Sequence, residues 1–89
     1  MRAIITVTGI DGVGIVAAVS NVCARYGVNI NDISQSVIGE YFAMIMVASI
    51  DGITVPFNEF VDIIAEAGRE KGVVINAMHE DIFNSMHRI

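Results

Sequence analysis

Tryptophan is absent from this chain, proline and cysteine occur once each, and basic residues are scarce: five against ten acids in 89 residues, a net charge of −5. Each shortage excludes something. A lone Cys23 cannot staple the chain to itself. An acidic protein is a poor match for a phosphate backbone, so direct nucleic-acid binding is not expected. No run of Lys or Arg could dock on an anionic membrane. The longest unbroken apolar run, Tyr41 to Ala48, falls far short of the ~20 residues of a membrane-spanning helix. The chain starts directly with a strand-like pattern, without the apolar stretch of a signal peptide. A cytoplasmic protein with no membrane partner is the expectation. Repeats, low-complexity segments and linkers are also missing, which leaves one domain.

What is abundant is apolar character. Hydrophobic residues make up 54 % of the chain and charged residues only 17 %. A single globule of this size has too much surface to hide so many apolar side chains. Part of the excess is therefore expected to be buried against a second copy, making a homodimer.

The pattern along the chain sets the fold class. Ala3, Ile5 and Val7 alternate with Ile4, Thr6 and Thr8, which predicts a strand ended by a turn at Gly9 to Gly12. From Val13 to Tyr26 the apolar spacing becomes helical, with Arg25 in the last turn and Gly27 as the stop. Val28 to Ile38 reads as a strand whose start, with Asn29, Asn31 and Asp32, calls for a bulge or a functional entry point. Gly39-Glu40 suits a type II′ hairpin turn. Tyr41 to Ile50 is a strand apolar on both sides, so both of its faces should be covered.

Thr54 and Pro56 are placed for the N-cap and first turn of a second helix. Phe57, Phe60, Val61, Ile64, Ala65 and Gly68 form its apolar stripe, and Gly72 closes it. Val73 to His79 is the last strand. Asp81 could cap a short final helix carrying Ile82, Phe83, Met86 and Ile89. The resulting order is that of an α+β, ferredoxin-like βαββαβ domain over residues 1–80, a four-stranded antiparallel sheet with two helices on one face. Residues 81–89 form a short C-terminal helical tail, able to cover part of the open sheet face.

The turn Gly9-Ile10-Asp11-Gly12-Val13-Gly14 is the most informative stretch. Read plainly, its glycines permit a tight strand-to-helix turn and Asp11 is an ordinary N-cap. Read functionally, the amides of Gly12, Val13 and Gly14 after Asp11 offer a seat for a carboxylate. The spacing does not match the dinucleotide fingerprint, and the Lys-Ser/Thr of a P-loop is lacking.

The stretch Gly9-Ile10-Asp11-Gly12-Val13-Gly14-Ile15-Val16-Ala17-Ala18-Val19-Ser20, followed by Gly27-Val28-Asn29-Ile30-Asn31-Asp32-Ile33-Ser34-Gln35, resembles an ACT domain. It is most similar to the small stand-alone members and to the ACT modules of glycine-cleavage repressors and formyltetrahydrofolate deformylases. The resemblance implies a regulatory, paired module that holds a small ligand, often an amino acid, at the interface between copies. Asp11 would then contact the ligand amine, and the amides of Gly12, Val13 and Gly14 the carboxylate. The Asn29-Ile30 step would reach across from the partner chain. A partner enzyme is the natural target of such regulation; a ligand-free dimerisation module acting on that enzyme is the alternative. Many relatives carry Arg-Pro-Gly where this chain has Gly12-Val13-Gly14, so the proline-set helix start and the arginine charge are both missing.

Other chemistry finds less footing. His79, Glu80, Asp81 and His87 are the one metal-like group, but their spacing fits no finger and a solvated surface explains them. Cys23 falls on the apolar side of the first helix and reads as a small hydrophobe. Ser34, Gln35 and Ser36 are either outward polar residues or the lining of an interface pocket. No nucleophile has a base at a recognisable spacing, and no carboxylate pair or cofactor fingerprint occurs. The expectation is a non-catalytic protein with neither metal nor cofactor.

Overall fold

Seven elements follow one another in the computed structural model, which describes residues 1–10 and 12–86. They are β1 (Arg2–Ile10), α1 (Ile15–Arg25), β2 (Asn29–Ile38), β3 (Tyr41–Ser49), α2 (Phe57–Lys71), β4 (Val73–His79) and α3 (Glu80–Met86). The expectations placed on Asp11, His87 and Ile89 lie outside the described residues. The strands form one antiparallel sheet in the order β2-β3-β1-β4. This is the ferredoxin-like architecture with the short C-terminal helix that the element order predicts.

Period-two alternation gives the sheet one apolar face, which both long helices cover. Ala3, Ile5 and Val7 of β1, Phe42, Met44, Met46 and Ala48 of β3, and Val73, Ile75 and Ala77 of β4 form that face. Ile15, Val19 and Cys23 of α1 and Phe60 and Ile64 of α2 meet them in a single core. Among the described residues no polar or charged residue is buried. Tyr26 sets its ring edge-on to Phe60 at 6.5 Å, which fixes the entry of the chain into β2 against α2.

The local signals act much as expected. Gly39 takes φ +61° while Glu40 stays at negative φ, the pattern of a II′ turn joining Ile38 to Tyr41. The β2–β3 register slips between Ile30 and Asp32, so the awkward Asn29–Asp32 start is indeed a bulge. Gly72 ends α2 at φ +73°, its N–H donating to the Arg69 carbonyl. The start of α2 differs. Pro56 itself stands in the N-cap position, its carbonyl accepting from Glu59 and Phe60, and Thr54 lies ahead of the helix.

β3 departs further from expectation. Its Phe42, Met44, Met46 and Ala48 side is buried, but on the other side Tyr41 is 61 % and Ile45 45 % exposed. Within one chain that second face is bare except near α3, which lies against β1 and β4. There Ile4 is only 5 % exposed although it points away from the main core.

Two tight places test this packing. A Cβ on Gly68 would fall 2.7 Å from Ile75 Cγ1 and 2.9 Å from the Val73 carbonyl oxygen, so α2 rides on β4 at a distance only glycine allows. Gly68→Ala should cost about 1–3 kcal/mol, read as a lowered midpoint in urea unfolding with an unchanged slope. Burial also pushes the Cys23 thiol up to about 11. At pH 8 only about one thiol in a thousand is then ionised, so a disulfide reagent should label native protein far more slowly than unfolded protein. The raised value carries a sign: above pH 9 the unfolded thiol loses its proton while the folded one keeps it. Stability from this group should thus fall between pH 9 and 11, and Cys23→Ala should flatten that decline.

Candidate functional site

The Gly-rich turn joins the end of β1 to the start of α1, and its helix begins later than the sequence suggests. The N-cap is Gly14, at φ +85°, with no side chain capping it, rather than Asp11. Only a glycine takes that left-handed conformation without strain, so Gly14 decides where the chain enters the helix. The first intrahelical bond runs from the Ala18 N–H to the Gly14 carbonyl at 2.9 Å. The unpaired helix amides are therefore those of Gly14, Ile15, Val16 and Ala17. Gly12 and Val13 precede them in the turn, and their N–H groups donate to no other described residue. Gly12 is exposed and Val13 fully so, at 99 %. The donor cluster is present but shifted along the chain by about one helical turn.

A cation stands beside it that the sequence pattern marks only as a helix-dipole complement. The Lys71 ammonium nitrogen lies 3.5 Å from where a Cβ on Gly14 would be. Among the described residues Lys71 has no ion-pair partner; the side-chain pairs are Arg2–Glu80 at 2.6 Å and Arg69–Glu66. Topology explains the approach. β4 starts at Val73, which pairs with Gly9, so the end of α2 must arrive next to the start of α1. The positive end of the α1 dipole and a free ammonium then share one place. The arginine missing from the turn itself is matched by a lysine from 57 residues downstream.

Asn29 and Ile30 sit elsewhere. Asn29 pairs with Ser49, which pairs with Arg2, at the far end of the sheet from the turn. Eight residues of β1 separate the two ends, about 26 Å. A single chain thus does not bring Asn29 to Gly12–Gly14. The Asn29 side chain donates Nδ2–H to Asn31 Oδ1 at 2.8 Å across the bulge. Ile30 is half-buried and packs against the margin of the core. Of the polar β2 trio, Ser34 and Ser36 point to the open face and Gln35 to the helix side, all three exposed.

Two clefts of ligand size lie away from the turn apex. One, of about 570 Å³, is lined by Met1, Arg2, His79, Glu80, Asp81 and Ile82 at the far end of the sheet. His79 borders it with its ring 4.3 Å from that of Phe57 and with Nδ1 buried and unbonded. The other, about 550 Å³, runs between α1 and α2 past Arg25, Asp62, Glu66 and Lys71. Neither includes Gly12, Val13 or Gly14. No three His, Cys, Asp or Glu side chains stand close enough to hold a metal among the described residues. No described helix is long and apolar enough to cross a membrane.

Comparison with known proteins agrees with this architecture. The family model of the ACT domain matches residues 2–66. A UPF0237 protein of Listeria monocytogenes is 45 % identical over 89 residues, covering all of both chains. An ACT domain protein from Streptococcus pneumoniae superposes with a TM-score of 0.82 at 44 % identity, covering 98 % of each chain. Larger proteins contain the same fold in part. A protein assigned as a glycine cleavage system transcriptional repressor matches 86 % of this chain and 44 % of its own length, with TM-score 0.70 and 24 % identity. A formyltetrahydrofolate deformylase from Pseudomonas putida matches 91 % and 29 % respectively, with TM-score 0.74 and 13 % identity. The resemblance carried by the Gly9–Ser20 and Gly27–Gln35 stretches therefore extends to the whole chain, and by family model, sequence relatives and structure alike the chain belongs to the ACT domain family.

Proposed function

We propose that the chain is a regulatory, non-catalytic module that works as a homodimer and binds a small zwitterion, an amino acid, between its two copies. The observation that carries this reading is the Lys71 ammonium beside Gly14 and the unpaired amides that open α1. A carboxylate placed there would gain a cation and several N–H donors at once, and charge-assisted hydrogen bonds are the strong ones. Asp11, next in sequence after β1, is the residue assigned to the ligand amine. Gly12, Val13 and Gly14 shape the turn around the carboxylate.

The position of Asn29 supports the paired state. β2 is an edge strand with its outer backbone unpaired. A second copy joining along β2 in antiparallel fashion would lay the partner's β2 start beside this chain's β2 end. That end, Ile38, is in register with Tyr41 and Ile10, where the turn begins. A two-fold axis through β2 thereby carries the partner's Asn29 toward the turn that a single chain keeps about 26 Å away. Binding would order the turn and shift the dimer's affinity for a partner enzyme, the regulatory output. That neither cleft reaches the turn apex favours a second reading, a ligand-free dimerisation module acting on the same enzyme.

One experiment separates the two. Each standard amino acid is titrated in a thermal-shift screen and any hit measured by calorimetry. At least one should raise the melting temperature. Lys71→Met and Asp11→Ala should weaken that ligand about tenfold or more while the ligand-free melting temperature stays put. A screen with no hit at millimolar ligand rejects binding and leaves the dimerisation reading. A hit insensitive to both variants places the ligand elsewhere.

A further inference from the structure

We propose that the cleft at the far end of the sheet, beside His79 and Asp81, is a binding site for a small primary ammonium, the headgroup of an alkylamine or of a lysine side chain. The site lies where β4 passes into α3 and where β1 begins. Its volume is about 570 Å³, and Met1, Arg2, His79, Glu80, Asp81 and Ile82 line it. His79 pairs with Ala3 near the start of β1, whereas the Gly-rich turn follows Ile10 at the other end of that strand. The cleft therefore shares no residue with the turn and does not depend on what the turn binds.

The groups on its wall are unequally satisfied. Arg2 grips Glu80 with a fork, Nε donating to Oε1 at 3.2 Å and Nη2 to Oε2 at 2.6 Å. The Met1 ammonium rests on Asp51 Oδ1 at 2.6 Å, so both of these cations are already matched. Asp81 is exposed and has no ion-pair or hydrogen-bond partner among the described residues. His79 Nδ1 is buried without a hydrogen bond, the one such side-chain atom among the described residues. Native proteins seldom carry a buried polar atom in that state without a use for it. Phe57 holds the imidazole, ring against ring at 4.3 Å and 34°, so packing sets the direction of the nitrogen.

That pattern fits one kind of guest. An anion would have to compete with Glu80 for Arg2 and would lie against the Asp81 carboxylate. A metal ion lacks ligands, since no three His, Cys, Asp or Glu side chains stand close enough together among the described residues. An ammonium brings three N–H donors and no acceptor. It can serve the Asp81 carboxylate through a charge-assisted bond and Nδ1 through a second one. His79 then accepts at Nδ1 and carries its ring proton on Nε2. Ile82 and Met1, 51 % and 72 % exposed, offer the alkyl stem an apolar surface otherwise left to water. A net charge of −5 attracts cations to the whole chain, and these partners give one of them a place to stay.

Titration of the full chain with n-butylammonium, followed by two-dimensional amide NMR, tests this. Shifts should centre on Arg2 and on His79 to Ile82 and should saturate with a dissociation constant on the order of 1 mM, which so small a ligand can supply. Butyrate, the anion of the same length, should give no saturable shift there. Asp81→Asn, at an exposed position, should weaken the amine about tenfold. His79→Phe keeps a ring against Phe57, removes the nitrogen and should weaken it about threefold or more. Glu40→Gln removes the same charge at the distant hairpin and should leave binding unchanged. Nα-acetyl-lysine N-methylamide is the second probe: tighter binding than n-butylammonium points to a lysine side chain of a partner protein, and no tighter binding to a free amine, the site standing in both cases. Absence of saturation overturns the proposal, as do shifts scattered over the acidic surface or an equal response to butyrate. An affinity that survives both Asp81→Asn and His79→Phe overturns it too.

Discussion

Two helices cannot roof four strands, and most of what is unusual in this molecule follows from that mismatch. α1 and α2 lie side by side over β1, β3 and β4, and β2 is left overhanging. Not one of its ten residues is buried, and only Ile30, at the bulge, is even half-buried. β2 is held by its ladder to β3 and by little else. Natural edge strands are usually blunted by lysine, proline or a short length. This one is long, carries no lysine or proline, and exposes Ile33 and Val37 on the side where the helices end. Such an edge is a ready template for a further strand, which gives a physical basis for the composition argument that part of the apolar excess belongs to an interface.

The sequence was legible wherever a signal is local. The hairpin at Gly39-Glu40, the bulge after Ile30, the amphipathic stripe of α2 and its Gly72 stop all depend on residues within a turn or two of one another. What escaped depends on tertiary position. The N-cap moved from Asp11 to Gly14 because three glycines in six residues leave the helix start underdetermined, and the backbone settles it by taking φ +85° at the last of them. Lys71 ends α2, where the helix dipole favours a cation whatever lies nearby, and its neighbour Gly14 is 57 positions away. That contact becomes predictable only once β4 is known to pair with β1 beginning at Gly9↔Val73. Apolar residues on both sides of β3 predicted two covered faces, and within one chain only one is. Periodicity reports that a face wants cover and does not say whose atoms supply it.

If the turn binds as proposed, it does so with its charge and its donors drawn from different parts of the chain. An arginine within the turn would bring charge and a fixed donor fork at once. Here the charge comes from a flexible lysine at the end of another helix, whose ammonium lies beside Gly14. The fork geometry is lost, and orientation must come from backbone amides whose directions the helix fixes. A site of that kind discriminates by charge placement more than by shape. Its selectivity for a side chain would have to be supplied by what closes over it, and Val13, fully exposed at the apex, is the nearest apolar surface available for that closure.

The two surfaces left open by one chain differ in the physics that would join them. Along β2 the driving groups are unpaired backbone donors and acceptors, directional and indifferent to side-chain charge. On the open face they are apolar side chains between rows of Thr, Ser and Asn, with charge confined to the α3 end. Glu59, Asp62, Glu66 and Glu70 ride on the outer side of α2, away from both surfaces, while Asp32, Glu80 and Asp81 remain beside the open face. Edge pairing prolongs the sheet and leaves its face untouched, and stacking doubles the layers and leaves the edge untouched. Because neither surface overlaps the other, whatever covers the edge leaves the face free, and a ligand held as proposed near the β2 end would act on the edge without altering the face.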